Sequence, residues 1–258
     1  MTDRPTVLVP IRVLEGESIP EGVPELLANA HVVLLGYHAI PDQTAPGQAR
    51  SQFGDRATDR LEDLTAMLED AGATVDSRLV FTHEAQKTIN RTILEWDCLA
   101  VLVQGGTGTV DDVLVAIRGS IGLDRLVRLV AGLFAGTDVG VTLYHVAPEE
   151  ETDEDAEMLL DGVVSRLAEA GLAEAAIDVR IARDVAPVEA IRDAAESFDV
   201  VVMGESDPSI ATFVFGMSAE QVADRFLGPV LVVQREPPES ESPEDASGDD
   251  PGSENDAE

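Results

Sequence analysis

The chain states one pattern twice. VLVPIR at Val7–Arg12 returns as VLVAIR at Val113–Arg118, and LLGYHAIP from Leu34 is answered by TLYHVAP from Thr142, so each copy ends an apolar run on Tyr-His. VDSRLVFTHEAQKTI from Val75 and IDVRIARDVAPVEAI from Ile177 align at a constant offset of 102 residues, and Trp96-Asp97 falls on Phe198-Asp199 at that same offset. Such self-similarity describes two copies of one α/β unit fused head to tail.

Short β-branched runs alternate with longer helical patterns in both copies. The first copy predicts strands near 6–11, 31–38, 75–81 and 98–103, with helices near 22–30, 48–72 and 84–95. The second predicts strands near 112–117, 139–146, 176–182, 199–203 and 229–234, with helices near 121–135, 152–170, 187–197 and 217–226. Runs such as VVVM at Val200–Met203 and VLVV at Val230–Val233 leave neither face for water, as in a parallel sheet covered on both sides. The expectation is α/β, two Rossmann-like units with parallel sheets. The first unit spans 1–105 and lacks the last helix and strand, the second spans 111–235 and is complete, and 236–258 is an acidic tail. GGTGT at Gly105–Thr109 is followed by a strand where a phosphate loop needs Lys-Ser/Thr and a helix, so it reads as a linker.

Charge narrows the setting. There are 50 acidic and 17 basic residues, and Lys87 is the only lysine. The stretch from Glu236 on holds ten of the acids and no base, which leaves 40 acidic residues against 17 basic ones before it. The acidity is thus a property of the folded surface, tolerable where concentrated salt screens it to within a few Å, and the natural reading is a halophile's cytoplasm. Such a surface repels nucleic acid and anionic membranes. No apolar run reaches the ~20 residues of a membrane span, and MTDRPTVLVP does not read as a signal peptide. The single cysteine, Cys98, lies in the apolar run CLAVLV and reads as a small buried hydrophobe.

The opening VLVPI, the HVxP-like end of the second copy's second strand, the VVMG strand, Gly216, AEQV and the closing PVLVVQRE together resemble the universal stress protein family. The second copy carries the resemblance over its whole length, the first more weakly, and tandem form with acidic composition resembles the haloarchaeal members. The resemblance implies an adenine nucleotide alpha hydrolase-like fold, a stress-response or regulatory role without catalysis, and ATP or another adenine nucleotide as ligand. It implies a pocket at Arg118, Gly119, Ser120, His145, Val146, Gly204, Glu205, Ser206, Asp207, Gly216, Met217 and Ser218.

The pocket departs from the family's pattern, in which glycines and a hydroxyl present backbone N–H groups to phosphate. Asp207 stands where the second glycine is expected, Pro208 removes a donor, Gly216 comes one residue early, and Met217 occupies the hydroxyl position ahead of Ser218. Arginine, Arg12 and Arg118, replaces the acid after each first strand. A guanidinium cannot accept a ribose hydroxyl's hydrogen, but it forks onto phosphate or carboxylate. Three readings stay open: a closed site in which Arg118 pairs with Asp207, an altered anion or nucleotide pocket, and ordinary ATP binding.

The remaining candidates have bland readings. His38 and His145 recur in the repeat, which argues for a shared structural role, a ring at a strand end with one nitrogen bonded to backbone. His31 and His83 complete no metal-ligand spacing. The acid run Glu149–Glu157 reads as solvated charge, Ser120 and Ser206 as loop serines outside any nucleophile elbow, and Asn90-Arg91-Thr92 as a meaningless acceptor triplet within a helix. The tail reads as a disordered solubility brush. A fifth strand at Pro229–Gln234 must be covered, either by the first unit or by another chain, hence the expectation of a homodimer. Alternative functions are a soluble regulatory partner of a membrane transporter, a weak ATP-hydrolysing or kinase-like enzyme, and, further off, an electron-transfer module.

Overall fold

The computed structural model describes residues 4–103, 105, 108–118, 122–204 and 228–235. Its strands are β1 (Thr6–Arg12), β2 (His31–Ala39), β3 (Thr74–Thr82), β4 (Ala100–Val103), β5 (Asp112–Ile117), β6 (Gly140–Val146), β7 (Ile177–Ala182), β8 (Val200–Gly204) and β9 (Val230–Val233). Its helices are α1 (Val23–Leu26), α2 (Pro46–Asp70), α3 (Ala85–Glu95), α4 (Leu123–Phe134), α5 (Asp153–Glu169) and α6 (Pro187–Ala195). The helix expected near 217–226, the tail and the residues of GGTGT at 106–107 lie outside the described residues.

Local chemistry accounts for most boundaries. Pro46 opens α2 where no intrahelical N–H is needed, and Ala49, Ala57, Leu61, Leu64 and Leu68 line its buried face at helical spacing. Thr152 caps α5, its hydroxyl oxygen accepting from the Asp155 amide at 3.2 Å, and Asp153, Glu154 and Asp155 occupy the first turn, where the helix dipole favours anions. The expected helix over 22–30 shrinks to Val23–Leu26. Pro24 lies in its first turn and Leu27 has already left helical geometry, because the chain must turn for His31 to donate its amide to Pro5 at 3.0 Å and enter the sheet.

The two expected sheets are one. Nine strands lie in the order β3-β2-β1-β4-β9-β8-β5-β6-β7. Neighbours are parallel within each unit, and β9 is parallel to β8 but antiparallel to β4, with Ala100 opposite Val233 and Val103 opposite Val230. The second unit's last strand therefore fills the place the first unit leaves empty. This pairing removes the argument for a second chain at β9, since its edge is satisfied within the chain.

One apolar core joins the units on the sheet face covered by α1, α2, α4 and α5, running from Val7 and Leu34 through Leu126 and Leu160 to Val233. On the other face each unit keeps its own, with Ile89 of α3 against Leu8 and Val101, and Ile191 of α6 against Leu114 and Val232. All four β9 side chains are at most 3% exposed. Burying each contributes about 1.5–3 kcal/mol, against ~0–1 kcal/mol for an exposed ion pair, so the seam is held by β9 and not by surface charge.

The antiparallel seam sets the placement of the functional rims. Because β4 opposes β9, β8 and β5, the carboxyl ends of β1 and β4 point to one edge of the sheet and those of β5 and β8 to the opposite edge. A ligand in an open α/β sheet binds at the carboxyl ends, where strand order reverses. The two crevices thus lie at opposite ends of the molecule. The same geometry lets the link from β4 to β5 be short, since it starts and finishes at one edge.

Candidate functional site

In the second unit the crevice lies between the ends of β5 and β8. Ala116 pairs with Met203 there, Gly204 ends β8, and Arg118, one residue past β5, is exposed. His145 fixes this rim from beneath. Its side chain is 1% exposed, its Nδ1 lies 2.9 Å from the Ile117 carbonyl and its Nε2 lies 2.8 Å from Glu151 Oε2. Nδ1 must donate to the carbonyl, which leaves one proton shared between Nε2 and the carboxyl. Arg183 donates to the Glu151 carbonyl at 2.8 Å and pairs with Asp153 at 2.8 Å. The loops after β6 and β7 are thereby tied to the last residue of β5.

In the first unit the corresponding arginine, Arg12, is the last residue of β1. The segment after β1 turns at Gly16, in the left-handed region at φ 81°, and returns two carboxylates to Arg12. The Arg12 amide donates to Glu17 Oε2 at 2.6 Å and its Nε to Glu17 Oε1 at 2.7 Å, while a terminal nitrogen meets Glu15 at 3.0 Å. Burial opposes the charged guanidinium, yet the Glu17 carboxylate outweighs it and holds Arg12 above its ordinary value. Burial, and then Glu17, push the Tyr37 phenol up as well. Arg12 is occupied by its own loop.

The two histidines do not share a role. In the second unit Ile117 pairs with His145, whereas in the first Ile11 pairs with Gly36. Tyr37-His38 therefore sits two residues further along its strand. At the level of His145 the first unit has Gly36, where an added Cβ would fall 2.9 Å from Val13 and 3.0 Å from Leu61. His38 stands edge-on to Phe53 and Phe81, with centroids at 6.0 and 6.1 Å, and its buried Nδ1 has no hydrogen-bond partner.

Of the residues expected at the pocket, Arg118 and Gly204 lie at the rim. His145 is buried and acts on the rim through Ile117, and Val146 is buried in the α6-side core. Gly119, Ser120, Glu205, Ser206, Asp207, Gly216, Met217 and Ser218 lie outside the described residues, and so does any pairing of Arg118 with Asp207. Sequence reasoning missed Glu151, read as part of a solvated run; the signal was its place in the Pro148 turn, where its amide donates to the Pro148 carbonyl at 3.1 Å. It missed Glu17 too, whose signal was the glycine between two acids, Glu15-Gly16-Glu17, beginning three residues after Arg12. Cys98 is buried, and desolvation with help from Asp97 pushes its thiol up to about 12. Among the described residues no group of three or more His, Cys, Asp and Glu is placed to hold a metal ion, and no helix is long and apolar enough to cross a membrane.

Two doubly wound α/β units sharing a seam strand, each with its crevice at the carboxyl ends, define the class. Residues 109–234, just under half of the chain, match the model of the Universal stress protein family. A universal stress protein from Archaeoglobus fulgidus DSM 4304 superposes with a TM-score of 0.60 at 17% identity, covering 89% of this chain and 96% of that one, which establishes the fold as similar over both units. Another from Archaeoglobus fulgidus, in complex with dAMP, gives a TM-score of 0.37 at 23% identity over 48% of this chain and 97% of its own. The cytoplasmic domain of a prokaryotic cation chloride cotransporter gives 0.46 at 12% identity over 89% and 95%. No curated protein matches the chain.

Proposed function

We propose that the chain is a non-catalytic stress-response module suited to concentrated salt, in which the first unit has closed its crevice and the second keeps an anion pocket for an adenine nucleotide or a similar phosphate compound. One placement carries this reading. Arg118 stands exposed one residue past β5, at the carboxyl ends of the strands, on a strand end that His145 holds through the Ile117 carbonyl, and in the first unit Glu15 and Glu17 occupy Arg12. A forked guanidinium at a carboxyl rim suits phosphate. A second copy of the chain belongs to this reading, attached elsewhere than at β9.

The test is calorimetric titration of ATP, ADP and AMP in molar KCl. Binding should weaken about tenfold or more in Arg118→Ala, since a charged hydrogen bond contributes about 1.5–3 kcal/mol, and should be unchanged in Arg12→Ala. Phosphate release should stay at background. A silent wild type with binding gained in Asp207→Gly overturns the open pocket and assigns closure to that carboxylate.

A further inference from the structure

Among the described residues β7 ends the sheet order, with no strand paired to its outer side, and an outer strand is a template for another strand. Its sequence Ile177-Asp178-Val179-Arg180-Ile181 reads alike in both directions, apolar at the odd positions and charged at the even ones. Alternation puts the three apolar side chains on one face and the two charges on the other. Val179 and Ile181 are 44% and 37% exposed, and Val185 just beyond is 48% exposed. Asp178 and Arg180 form no salt bridge with any described residue, and Arg180 stands over the Phe198 ring at 5.5 Å. The opposite edge, β3, carries the related VDSRL, but there Asp76 meets His31 at 2.8 Å, Arg78 meets Glu95 at 2.6 Å and the middle residue is Ser77. At one edge both charges are paired within the chain, and at the other neither has an ionic partner among the described residues.

We propose that β7 pairs with β7 of a second copy of this chain, antiparallel about a two-fold axis through Val179. Each Asp178 then faces the other copy's Arg180, Val179 faces Val179, and Ile177 faces Ile181. Every cross-strand pair is favourable and the free backbone groups of both edges are satisfied. A slip of one residue sets Val179 against Arg180 and Asp178 against Ile181, so the register is specified. On a chain of net charge −33, this charge-balanced apolar strand is where two copies meet with least repulsion.

Sedimentation velocity from dilute to molar KCl tests the pairing, with circular dichroism as the folding control. Wild type forms a dimer. Asp178→Arg sets arginine against arginine and Arg180→Asp sets aspartate against aspartate, so each weakens the dimer about tenfold or more. The double variant carrying both changes restores it, and mixing the two single variants gives a heterodimer. A wild type that stays monomeric at every salt concentration, or a dimer indifferent to both single reversals, overturns the proposal. A monomer that still binds AMP leaves the anion pocket standing, so the two readings fail separately.

Discussion

Arg125 of α4 reaches from the second unit into the first, donating to Asp97 at 3.1 Å and to the Cys98 carbonyl at 2.8 Å. The arginine is almost wholly buried, whereas the Asp97 side chain is 69% exposed, so the two ends of this bridge are unequal. The backbone carbonyl depends on the guanidinium, while the carboxylate has water as an alternative.

Arg125→Ala should therefore cost more than Asp97→Asn. Removing the guanidinium leaves a buried carbonyl unsatisfied, a cost of about 1–3 kcal/mol, besides the lost packing. Asp97→Asn should cost under about 1 kcal/mol. Urea melts at fixed KCl concentration measure both.

Cys98 should resist alkylation. With its thiol raised from 9.0 to about 12, the thiolate fraction near pH 8 falls on the order of a thousandfold, and so should reaction with iodoacetamide until urea unfolds the chain. The stability consequence has a definite sign. The folded state keeps a proton that the unfolded state loses, so this contribution is intact below pH 9 and declines as pH rises toward about 12. Cys98→Ala should lack that component of the alkaline loss, as thermal melts across this range will read.

Gly228→Ala should open the seam at its start. A Cβ there would fall 2.1 Å from the Asp199 carbonyl oxygen, and one on Gly105 would fall 2.4 Å from that of Gly228. Backbone cannot yield as a flexible side chain does, so each substitution should destabilise by about 1–3 kcal/mol. Hydrogen exchange at the Val101 and Val232 amides should accelerate together.

His145→Ala should lower stability by about 1–3 kcal/mol through the orphaned Ile117 carbonyl and Glu151 carboxyl, and should weaken anion binding without removing any group from the rim. His38→Ala should leave binding unchanged, because His38 is two residues out of step with that role. Titration of AMP into both variants distinguishes them.

Most strands could be read directly. Runs such as VLVP and VLVV are short, β-branched and apolar on both faces, and the strands fall within two residues of their expected bounds. What the sequence could not carry was relation between elements. Nothing in Val230–Val233 says that its outer neighbour is the antiparallel Ala100–Val103, because an apolar strand suits either direction. The Tyr-His repeat misled for a similar reason: matching letters do not fix register, and Ile11 and Ile117 meet different partners. The lock on Arg12 was hidden because Glu15 and Glu17 resemble the many acids of the surface, and only the Gly16 turn brings them back.

The seam strand also imposes a schedule on synthesis. Residues up to Val103 leave the ribosome with β4 bare on one side, and its neighbour emerges only when the chain has reached Val233. An amino-terminal unit that finished before the next began would carry that apolar strand edge unpaired through the synthesis of the whole second half.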